Sequence, residues 1–193
     1  AATKPFGFQP FFPGAGVGGH CIPVDPWYFH HALFGGGEAA SLIAQSMQVL
    51  AAAPGVVAKR LLETAHSQTE GNHRPRILLL GMSYKADVGD FRHAPGADVA
   101  RWLDGEGAEV AYHDPFLTTP LPELNGLDWH REIPDDPHYD LIAVLQYHAA
   151  YSGLGATITG VPLVMVAGNP NSDNVSLWDS ASAFPGVVEE SRQ

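Results

Sequence analysis

The sequence predicts an α/β fold in which a parallel sheet follows a long helical arm and a Gly/Pro-rich N-terminal segment. Two observations predict it. In the second half of the chain, short apolar runs alternate with helix-forming segments, which is typical of parallel strands joined by right-handed crossovers. Before them, an Ala/Leu-rich stretch follows residues among which glycine, proline and aromatic side chains dominate. The 193 residues are enough for one domain or two small ones.

The arm is expected after an N-terminal segment, residues 1–37, that contains no convincing helix. Residues 38–70 are rich in helix formers, and their apolar residues recur at helical spacing. Pro54 and Gly55 should kink or break this stretch, so we expect two helical segments that form one kinked arm. The arm could pack into the core or pair with a second copy of itself, and the sequence favours neither.

The alternating part begins after a linker at residues 70–75. A helix is expected between the first two strands, over residues 94–107. Pro95 suits its first position, and glycines should end it. The helix between the last two strands is poorly signalled. Four apolar runs are of the buried-strand type, at residues 76–82, 108–115, 139–146 and 161–168. The chain therefore divides into a segment 1–37, an arm 38–71 and an α/β domain 72–193.

The composition excludes several classes of partner. The net charge is −11, from 10 Lys and Arg against 21 Asp and Glu, and such a surface repels nucleic acid and anionic lipid. No apolar run approaches the ~20 residues of a membrane span, and the N-terminus lacks the apolar core of a signal peptide. The single cysteine excludes an internal disulfide and favours the cytoplasm. The histidines show no metal-ligand spacing, so no metal is expected.

The stretch PGAGVGGHCIPVDPW raises the question of a cofactor. Gly14, Gly16 and Gly19 satisfy the G-x-G-x-x-G pattern of a dinucleotide-binding turn, which must follow a strand and open a helix. Prolines before the glycines argue against a central strand, and Pro23 and Pro26 should forbid a regular helix after them. We therefore expect the glycines to provide close backbone approach and not a cofactor cradle.

Cys21 lies within the same stretch. A lone cysteine is more often a small buried hydrophobe than a nucleophile. Here His20 adjoins the thiol, Asp25 follows four residues later, and the flexible glycines leave it accessible. These neighbours make Cys21 a candidate nucleophile.

Three stretches carry a resemblance to a known family. PFGFQPFFPGAGVGGHCIPVDPWYF resembles the active-site segment of the UDP-glucose/GDP-mannose dehydrogenase family, closest to the branch that oxidises UDP-N-acetyl-hexosamines of the mannosamine type. ILLLGMSYKADVGDFRHAP, with GAEVAYHDP and YDLIAVLQYH after it, resembles that family's C-terminal nucleotide-binding domain. The match covers roughly residues 4–150 in the same order and spacing. It implies a Rossmann-like, UDP-binding parallel-sheet domain.

The resemblance also implies roles for individual residues. In that family NAD oxidises a nucleotide-sugar alcohol twice, and a cysteine traps the intermediate aldehyde. By motif match, Cys21 would be the nucleophile and Asp25 the carboxylate that assists proton transfer and hydrolysis. The matched substrate-binding positions are Phe6, Phe8, Gly16, Gly18, Gly19, His20, Lys85 and Arg92. The two cations would serve the diphosphate or the active site, although both could be solvated loop charges. Binding is expected between segment 1–37 and the carboxyl ends of the strands.

The sequence departs from the family pattern at several polar positions. Leu50 stands where the arm usually has an asparagine, and His93 and Ala94 replace an acidic and a hydroxyl residue. The last strand ends in VAGNP where the family has an aspartate-bearing stretch. The family's NAD-binding domain and its catalytic Lys and Asn precede the cysteine segment, and nothing in this sequence supplies them.

Three functional interpretations remain open. The first is a nucleotide-sugar dehydrogenase-like protein that binds a UDP-sugar-type ligand near Cys21, as half of a split enzyme or a piece of a longer one. The second is a repurposed stand-alone enzyme for non-redox cyclisation, addition or acyl transfer in biosynthesis. The third is a non-catalytic nucleotide-sugar binder or scaffold. The chain alone would hold no cofactor, and NAD would need another chain to supply its domain. We also expect a homodimer paired through the arm.

Overall fold

The structure is a computed structural model of an α/β domain. It describes residues 14–35, 41–68, 73–134, 138–158 and 160–166. Phe6, Phe8 and the C-terminal stretch from residue 167 lie outside the described residues.

One parallel sheet of five strands confirms the predicted fold class. Its order is β3-β2-β1-β4-β5. The chain therefore places β2 and β3 on one side of β1 and then crosses to the other side, where β4 and β5 lie. The strands are β1 Arg76–Leu80, β2 Glu109–His113, β3 Asp128–Trp129, β4 Leu141–Val144 and β5 Leu163–Met165. The four predicted strands are all present. The fifth, β3, has only two residues and is too short to show a hydrophobic period.

Four α-helices accompany the sheet within the described residues. They are α1 Asp25–Phe34, α2 Leu42–Gln68, α3 Pro95–Gly105 and the short α4 Leu154–Thr157. The predicted helix over 94–107 corresponds to α3, which has a proline in its first turn as expected. The poorly signalled crossover between β4 and β5 consists of a 3₁₀ turn, Ala149–Tyr151, followed by α4.

α1 is a helix where the sequence analysis expected none. It has Pro26 within its first turn and ends at Phe34, where it is capped by Gly35, whose φ of 64° is left-handed. The expectation that Pro23 and Pro26 forbid a helix was wrong. A proline in the first helical turn lacks only an N–H that has no intrahelical acceptor there, and Pro23 precedes the helix.

The arm is a single helix, because α2 continues through Pro54. The expected division into two segments was wrong. Pro54 is buried and lies against Gly16, at whose position a Cβ would be 3.5 Å from the proline Cγ. Tertiary packing of this kind offsets the one hydrogen bond that an internal proline removes.

α2 also has the length and composition of a membrane-crossing helix, with a mean hydropathy of 1.2 over an 18-residue window. Core helices of globular proteins share these properties. The C-terminal half of α2 is built into the domain through its buried residues Val57, Ala58, Leu61 and Ala65. Its N-terminal half exposes Leu42 and Val49. The expectation of no membrane association stays a prediction.

The core covers both faces of the sheet. Along β1, Ile77 and Leu79 face α2 and α3, while Leu78 and Leu80 face the crossover that contains Tyr151. All four of these β1 residues are fully buried. A central parallel strand covered on both sides is expected to be continuously apolar, as β1 is after Arg76.

Three strand ends meet where the strand order reverses. Gly81 follows β1, and its N–H donates to the carbonyl of His113 at the end of β2 (2.9 Å). On the other side, the Leu145 N–H after β4 donates to the Leu80 carbonyl (2.8 Å). A Cβ on Gly81 would overlap the Gln146 carbonyl oxygen, so only glycine allows this approach. Open α/β sheets bind ligands outside the carboxyl ends of strands at such a reversal.

Candidate functional site

The Cys21 segment, residues 14–24, ends in a turn that leads directly into α1. The carbonyl of Cys21 accepts hydrogen bonds from the N–H groups of Val24 (3.0 Å) and Asp25 (2.8 Å). Asp25 is therefore one helical turn from Cys21, and it is the first residue of α1. Both side chains are exposed. The predicted nucleophile and its predicted carboxylate are neighbours on one accessible turn.

The Cys21 segment packs against the β1–α3 loop, residues 81–94. The Gly19 N–H donates to the carbonyl of Arg92 (3.0 Å). A Cβ on Gly18 would overlap Tyr84 Cβ and lie 3.0 Å from the His93 carbonyl oxygen. A Cβ on Gly19 would lie 3.1 Å from the Tyr84 ring, and the φ of Gly19 is +83°. The two glycines thus allow the segment to lie directly on the loop.

The Arg92 side chain is held by Asp90 on the loop that the Cys21 segment contacts. The Arg92 Nε donates to both carboxylate oxygens of Asp90 (2.9 and 3.2 Å), and a terminal nitrogen donates as well. These hydrogen bonds, with a further one from the Arg92 N–H and smaller charge effects of Arg92 and His20, lower the pKa of Asp90 to about 2. Asp90 in turn raises the pKa of Arg92, to which the charge of Cys21 also contributes. The loop therefore presents a fixed guanidinium to the Cys21 segment.

We expect the Asp90 carboxyl to titrate with a midpoint near pH 2, below its ordinary value of 3.8, because Arg92 favours the ionised form. Since the folded-state pKa is the lower one, the stabilisation is complete well above pH 4. It is lost as the pH falls through 2. Carbon-detected NMR titration of the carboxyl measures the midpoint directly.

The matched variants are Arg92→Gln and Arg101→Gln. The first removes the partner of Asp90, so the midpoint should return toward 3.8. The second breaks the surface ion pair of Arg101 with Asp98 and should leave the midpoint unchanged. A wild-type midpoint near 4 would contradict the interaction.

A buried polar cluster lies beneath the β1–α3 loop. Asp114, directly after β2, accepts hydrogen bonds from the N–H groups of Met82 (2.8 Å) and Ser83 (3.0 Å). It also accepts one from the Phe116 N–H (2.9 Å) and lies 3.2 Å from His148 Nε2. Burial opposes ionisation, but these hydrogen bonds outweigh it and keep the pKa of Asp114 below its usual range. The carboxylate ties the end of β1 to the end of β2.

Ser83, His148 and Asp114 bear the residue types of a hydrolytic triad, but their geometry is different. Both Ser83 Oγ (3.1 Å) and Asp114 Oδ2 (3.2 Å) meet the same ring nitrogen, Nε2. A triad needs the carboxylate on the opposite nitrogen from the hydroxyl, so that the ring can take the hydroxyl proton. All three side chains are also buried. The cluster is therefore structural and not hydrolytic.

The G-x-G-x-x-G glycines do not form a pyrophosphate cradle. Two of the three pack on the protein itself, Gly16 on Pro54 and Pro95, and Gly19 on Tyr84. The loop after β1 runs from residue 81 to 94 before α3 begins, which is far longer than a dinucleotide-binding turn. Within the described ranges, no group of three or more His, Cys, Asp or Glu side chains could hold a metal ion.

A groove of about 420 Å³ lies between the Cys21 segment, α2 and the start of α3. Its walls include Val17 and Trp27 from the N-terminal side and Leu50 from the arm. It reaches Pro95, at the end of the loop that follows β1, but its lining does not include Cys21. The polar-to-apolar departure at Leu50 therefore makes one wall of this groove apolar.

The structure brings together some of the predicted site residues. Gly18, Gly19 and His20 join Cys21 and Arg92 at the contact between segment and loop. Gly16 lies apart, against the arm. Lys85 is exposed on the loop, and among the described residues no hydrogen bond or ion pair joins its side chain to the Cys21 segment.

Several residues of the site escaped the sequence analysis. Tyr84 and Asp90 lie inside a quoted motif, but only the structure shows that they contact the glycines and Arg92. His148 is the last residue of the quoted stretch YDLIAVLQYH, which by itself indicates no role for it. An acidic residue two positions before Arg92 was the one signal available for this ion pair.

Comparison with known proteins agrees with this architecture. Among curated proteins, the NDP-N-acetyl-D-galactosaminuronic acid dehydrogenase of Ralstonia solanacearum is 31% identical over 143 residues, which are 74% of this chain and 32% of that protein. The UDP-N-acetyl-D-mannosamine dehydrogenase of Methanococcus aeolicus is 34% identical over 104 residues, 54% of this chain and 22% of that protein. The chain thus spans a third or less of the length of these two relatives.

A solved structure shares the fold. The UDP-D-ManNAc dehydrogenase of Pyrococcus horikoshii superposes with a TM-score of 0.64 at 20% identity, covering 91% of this chain and 41% of that one. The model of the UDP-glucose/GDP-mannose dehydrogenase family, central domain, matches residues 1–52. The model of the same family's UDP binding domain matches residues 78–164. Since the two matches cover most of the chain in the family's domain order, the chain belongs to the UDP-glucose/GDP-mannose dehydrogenase family.

Proposed function

We propose that this chain binds a UDP-sugar-type ligand beside Cys21 as the substrate-binding part of a nucleotide-sugar dehydrogenase. The observation that carries the proposal is the docking of the Cys21 segment on the β1–α3 loop, in which Gly19, two residues before Cys21, bonds the backbone of Arg92. A nucleophile and a phosphate-binding cation on one surface suit a sugar linked to a diphosphate.

Arg92 is suited to a diphosphate because only part of its donor set is occupied. Asp90 takes Nε and one terminal nitrogen, so the other terminal nitrogen can face a ligand. The guanidinium side chain is 61% exposed. In a protein with a net charge of −11, such a local cation must supply the attraction for an anionic ligand.

Cys21 would act on an aldehyde at the sugar. Its Sγ would form a bond to the carbonyl carbon, and the thiol proton would pass to the carbonyl oxygen, which gives a thiohemiacetal. Asp25, one turn away, would accept or return protons at this adduct. Oxidation of the adduct requires a hydride acceptor. Because the glycines of the Cys21 segment pack on the protein itself, we place NAD on polypeptide outside the described residues, in the same protein or a separate subunit.

The proposal includes a homodimer in the cytoplasm. The N-terminal half of α2 exposes Leu42, which is 84% accessible, and Val49, which is 70% accessible. Apolar side chains on one arm are of the kind that a second copy covers. Sedimentation analysis would count the subunits, and a strictly monomeric chain would remove this part of the proposal.

One observation favours the alternative of a repurposed, non-redox enzyme. Ala94 is the N-cap of α3 and provides no side-chain hydrogen bond there, where the family pattern has a hydroxyl residue. His93 beside it has a φ of 50°, a left-handed conformation that is uncommon for a residue with a side chain. The end of the loop therefore differs chemically from the family pattern.

Calorimetric titration with UDP, a UDP-N-acetylhexosamine and NAD, each alone, tests the proposal. We expect the UDP-sugar to bind and NAD not to bind. Arg92→Gln should weaken UDP-sugar binding about tenfold, since a charge-assisted contact is lost. Cys21→Ser should leave it nearly unchanged, because the thiol acts only on the aldehyde. Arg101→Gln is the matched control on α3 and should bind normally. If neither UDP nor the UDP-sugar binds, the proposed UDP-sugar site is rejected. The repurposed, non-redox enzyme is then the better-supported alternative.

A further inference from the structure

We infer that His148 is a positioning residue of the Cys21 site. Its neutral ring holds the β1–α3 loop in the conformation on which the Cys21 segment docks. The inference deepens the proposed function, since the segment carries Cys21. It rests, however, on contacts within this chain, which can be measured without any ligand.

The ring of His148 bonds the loop through both nitrogens. Nδ1 accepts a hydrogen bond from the Asp87 N–H (2.9 Å). Nε2 lies 3.1 Å from Ser83 Oγ and 3.2 Å from Asp114 Oδ2. Because Nδ1 is an acceptor, the ring proton must reside on Nε2, which donates to these two oxygens. The Ser83 hydroxyl donates its own hydrogen bond to the Lys85 carbonyl (3.1 Å). Every donor in this arrangement has an acceptor.

Asp87 needs this support. Its φ is 57°, in the left-handed region that strains a residue with a side chain. The strained backbone is held from two directions, by the bond to His148 and by the Ala149 N–H, which donates to Asp87 Oδ1 (2.7 Å). His148 and Ala149 lie on the segment that leaves β4 after Val144, so the chain beyond the end of the sheet fixes the middle of the loop.

The loop connects this anchor to the Cys21 segment. Tyr84 lies between Ser83 and Asp87, and its ring and Cβ form the surface on which Gly18 and Gly19 rest. The Tyr84 N–H donates to the Asp90 carbonyl (3.1 Å) and closes the loop. Two residues later, the Arg92 carbonyl accepts from Gly19. Movement of the loop at Asp87 would therefore displace both contacts of the Cys21 segment.

His148 itself cannot touch a ligand. Its side chain is fully buried, with the ring of Phe116 at 5.2 Å and that of Tyr151 at 5.5 Å. Asp114 and Asp87 are the carboxylates that face it. The residue acts through the loop and is not catalytic.

Two substitutions distinguish the roles of the two ring nitrogens of His148. The Oδ1 atom of asparagine takes the place of Nδ1, so His148→Asn keeps an acceptor for the Asp87 N–H. The amide of glutamine reaches the place of Nε2, so His148→Gln keeps the donor to Asp114 but loses the acceptor for Asp87.

The readout is amide hydrogen exchange of Gly19 and Asp87, followed by NMR in the whole chain without ligand. In His148→Gln we expect both amides to exchange about tenfold faster than in the wild type. In His148→Asn we expect Gly19 to exchange within about threefold of the wild-type rate. A merely structural role would give the two variants equal exchange at Gly19.

Tyr112→Phe is the control for general destabilisation. It removes a buried hydrogen bond from the Leu121 N–H (2.9 Å) and does not touch the loop. Gly19 exchange should remain unchanged in it. If the His148 variants do not fold, Asp87→Ala provides a second test, at the exposed loop residue that His148 bonds. It removes the bond from Ala149, so Gly19 should exchange faster.

The inference is overturned if Gly19 exchanges equally in His148→Gln and His148→Asn, or if Tyr112→Phe accelerates it as much. It is also overturned if Asp87→Ala leaves Gly19 protected. None of these results depends on UDP-sugar binding. Failure of the titration with intact exchange behaviour would reject the proposed function alone.

Discussion

Replacement of Gly81 by alanine should prevent the domain from folding or lower its Tm by at least about 10 °C. The new Cβ would overlap the Gln146 carbonyl oxygen and lie 2.8 Å from the carbonyl carbon. These are backbone atoms of the chain that follows β4, so no side-chain rotation relieves the overlap. The φ of Gly81 is +79°, which costs a residue with a side chain about 1–2 kcal/mol by itself.

The effect is large because Gly81 lies where three strand ends meet. Its N–H bonds the end of β2, while the next two N–H groups bond Asp114. A shift of Gly81 away from Gln146 would stretch these bonds together. The total cost should exceed about 4 kcal/mol, a large part of the stability of an ordinary domain.

Gly105→Ala is the matched control for this substitution. Gly105 is the last residue of α3, no atom lies within 4 Å of a Cβ placed there, and its φ is not left-handed. The melting temperature of the Gly105→Ala protein should equal or slightly exceed that of the wild type, since alanine favours the helix. Circular dichroism melts of the three proteins decide the matter. A Gly81→Ala protein that melts within about 2 °C of the wild type would show that the strand ends tolerate separation.

The sheet could be predicted from the sequence because its signals are local. ILLL, which follows Arg76 in β1, and LIAV in β4 are apolar at every position, as strands covered on both faces must be. The predictions for the helices were wrong because the effect of a proline depends on its position and its packing. A proline ends a helix when it lies in the interior but is tolerated in the first turn. Pro26 lies in the first turn of α1, and the sequence does not show where that turn begins. Pro54 was expected to break the arm, yet its packing against Gly16 compensates.

The site could be predicted only as far as its motif extends. Cys21, Gly18 and Arg92 were identified by resemblance. What makes them one site is contact between residues far apart in the chain. Tyr84 lies 66 positions from Gly18, and His148 meets Ser83 over a separation of 65 residues. Neither pairing leaves a local pattern of period or composition, so neither could be derived before the fold was known.

Gly18→Ala should release the Cys21 segment while the sheet remains folded. The added methyl group would overlap Tyr84 Cβ, which is the fixed base of that side chain and cannot rotate away. The His93 carbonyl oxygen, at 3.0 Å, blocks the other direction. The segment must therefore lift from the loop, and the bond of Gly19 to Arg92 should be lost with it. Under the proposed function, UDP-sugar affinity should fall about tenfold or more.

Hydrogen exchange followed by mass spectrometry on a peptide that covers residues 14–24 measures this release. Gly14→Ala is the matched control, because no atom lies within 4 Å of a Cβ at that position. We expect exchange of the peptide to rise about tenfold in Gly18→Ala and to stay at the wild-type rate in Gly14→Ala. Equal protection in the two variants would show that the segment does not dock through Gly18.

The double variant Gly18→Ala/His148→Gln shows whether the two substitutions act on the same contact. If the loop held by His148 is the surface on which Gly18 rests, both substitutions break the same contact. Gly19 exchange in the double variant should then be no faster than in the more affected single variant, since a contact already lost cannot be lost again. Rates that multiply would mean that the two residues act independently. His148 would then influence Gly19 by a route other than the surface that meets Gly18.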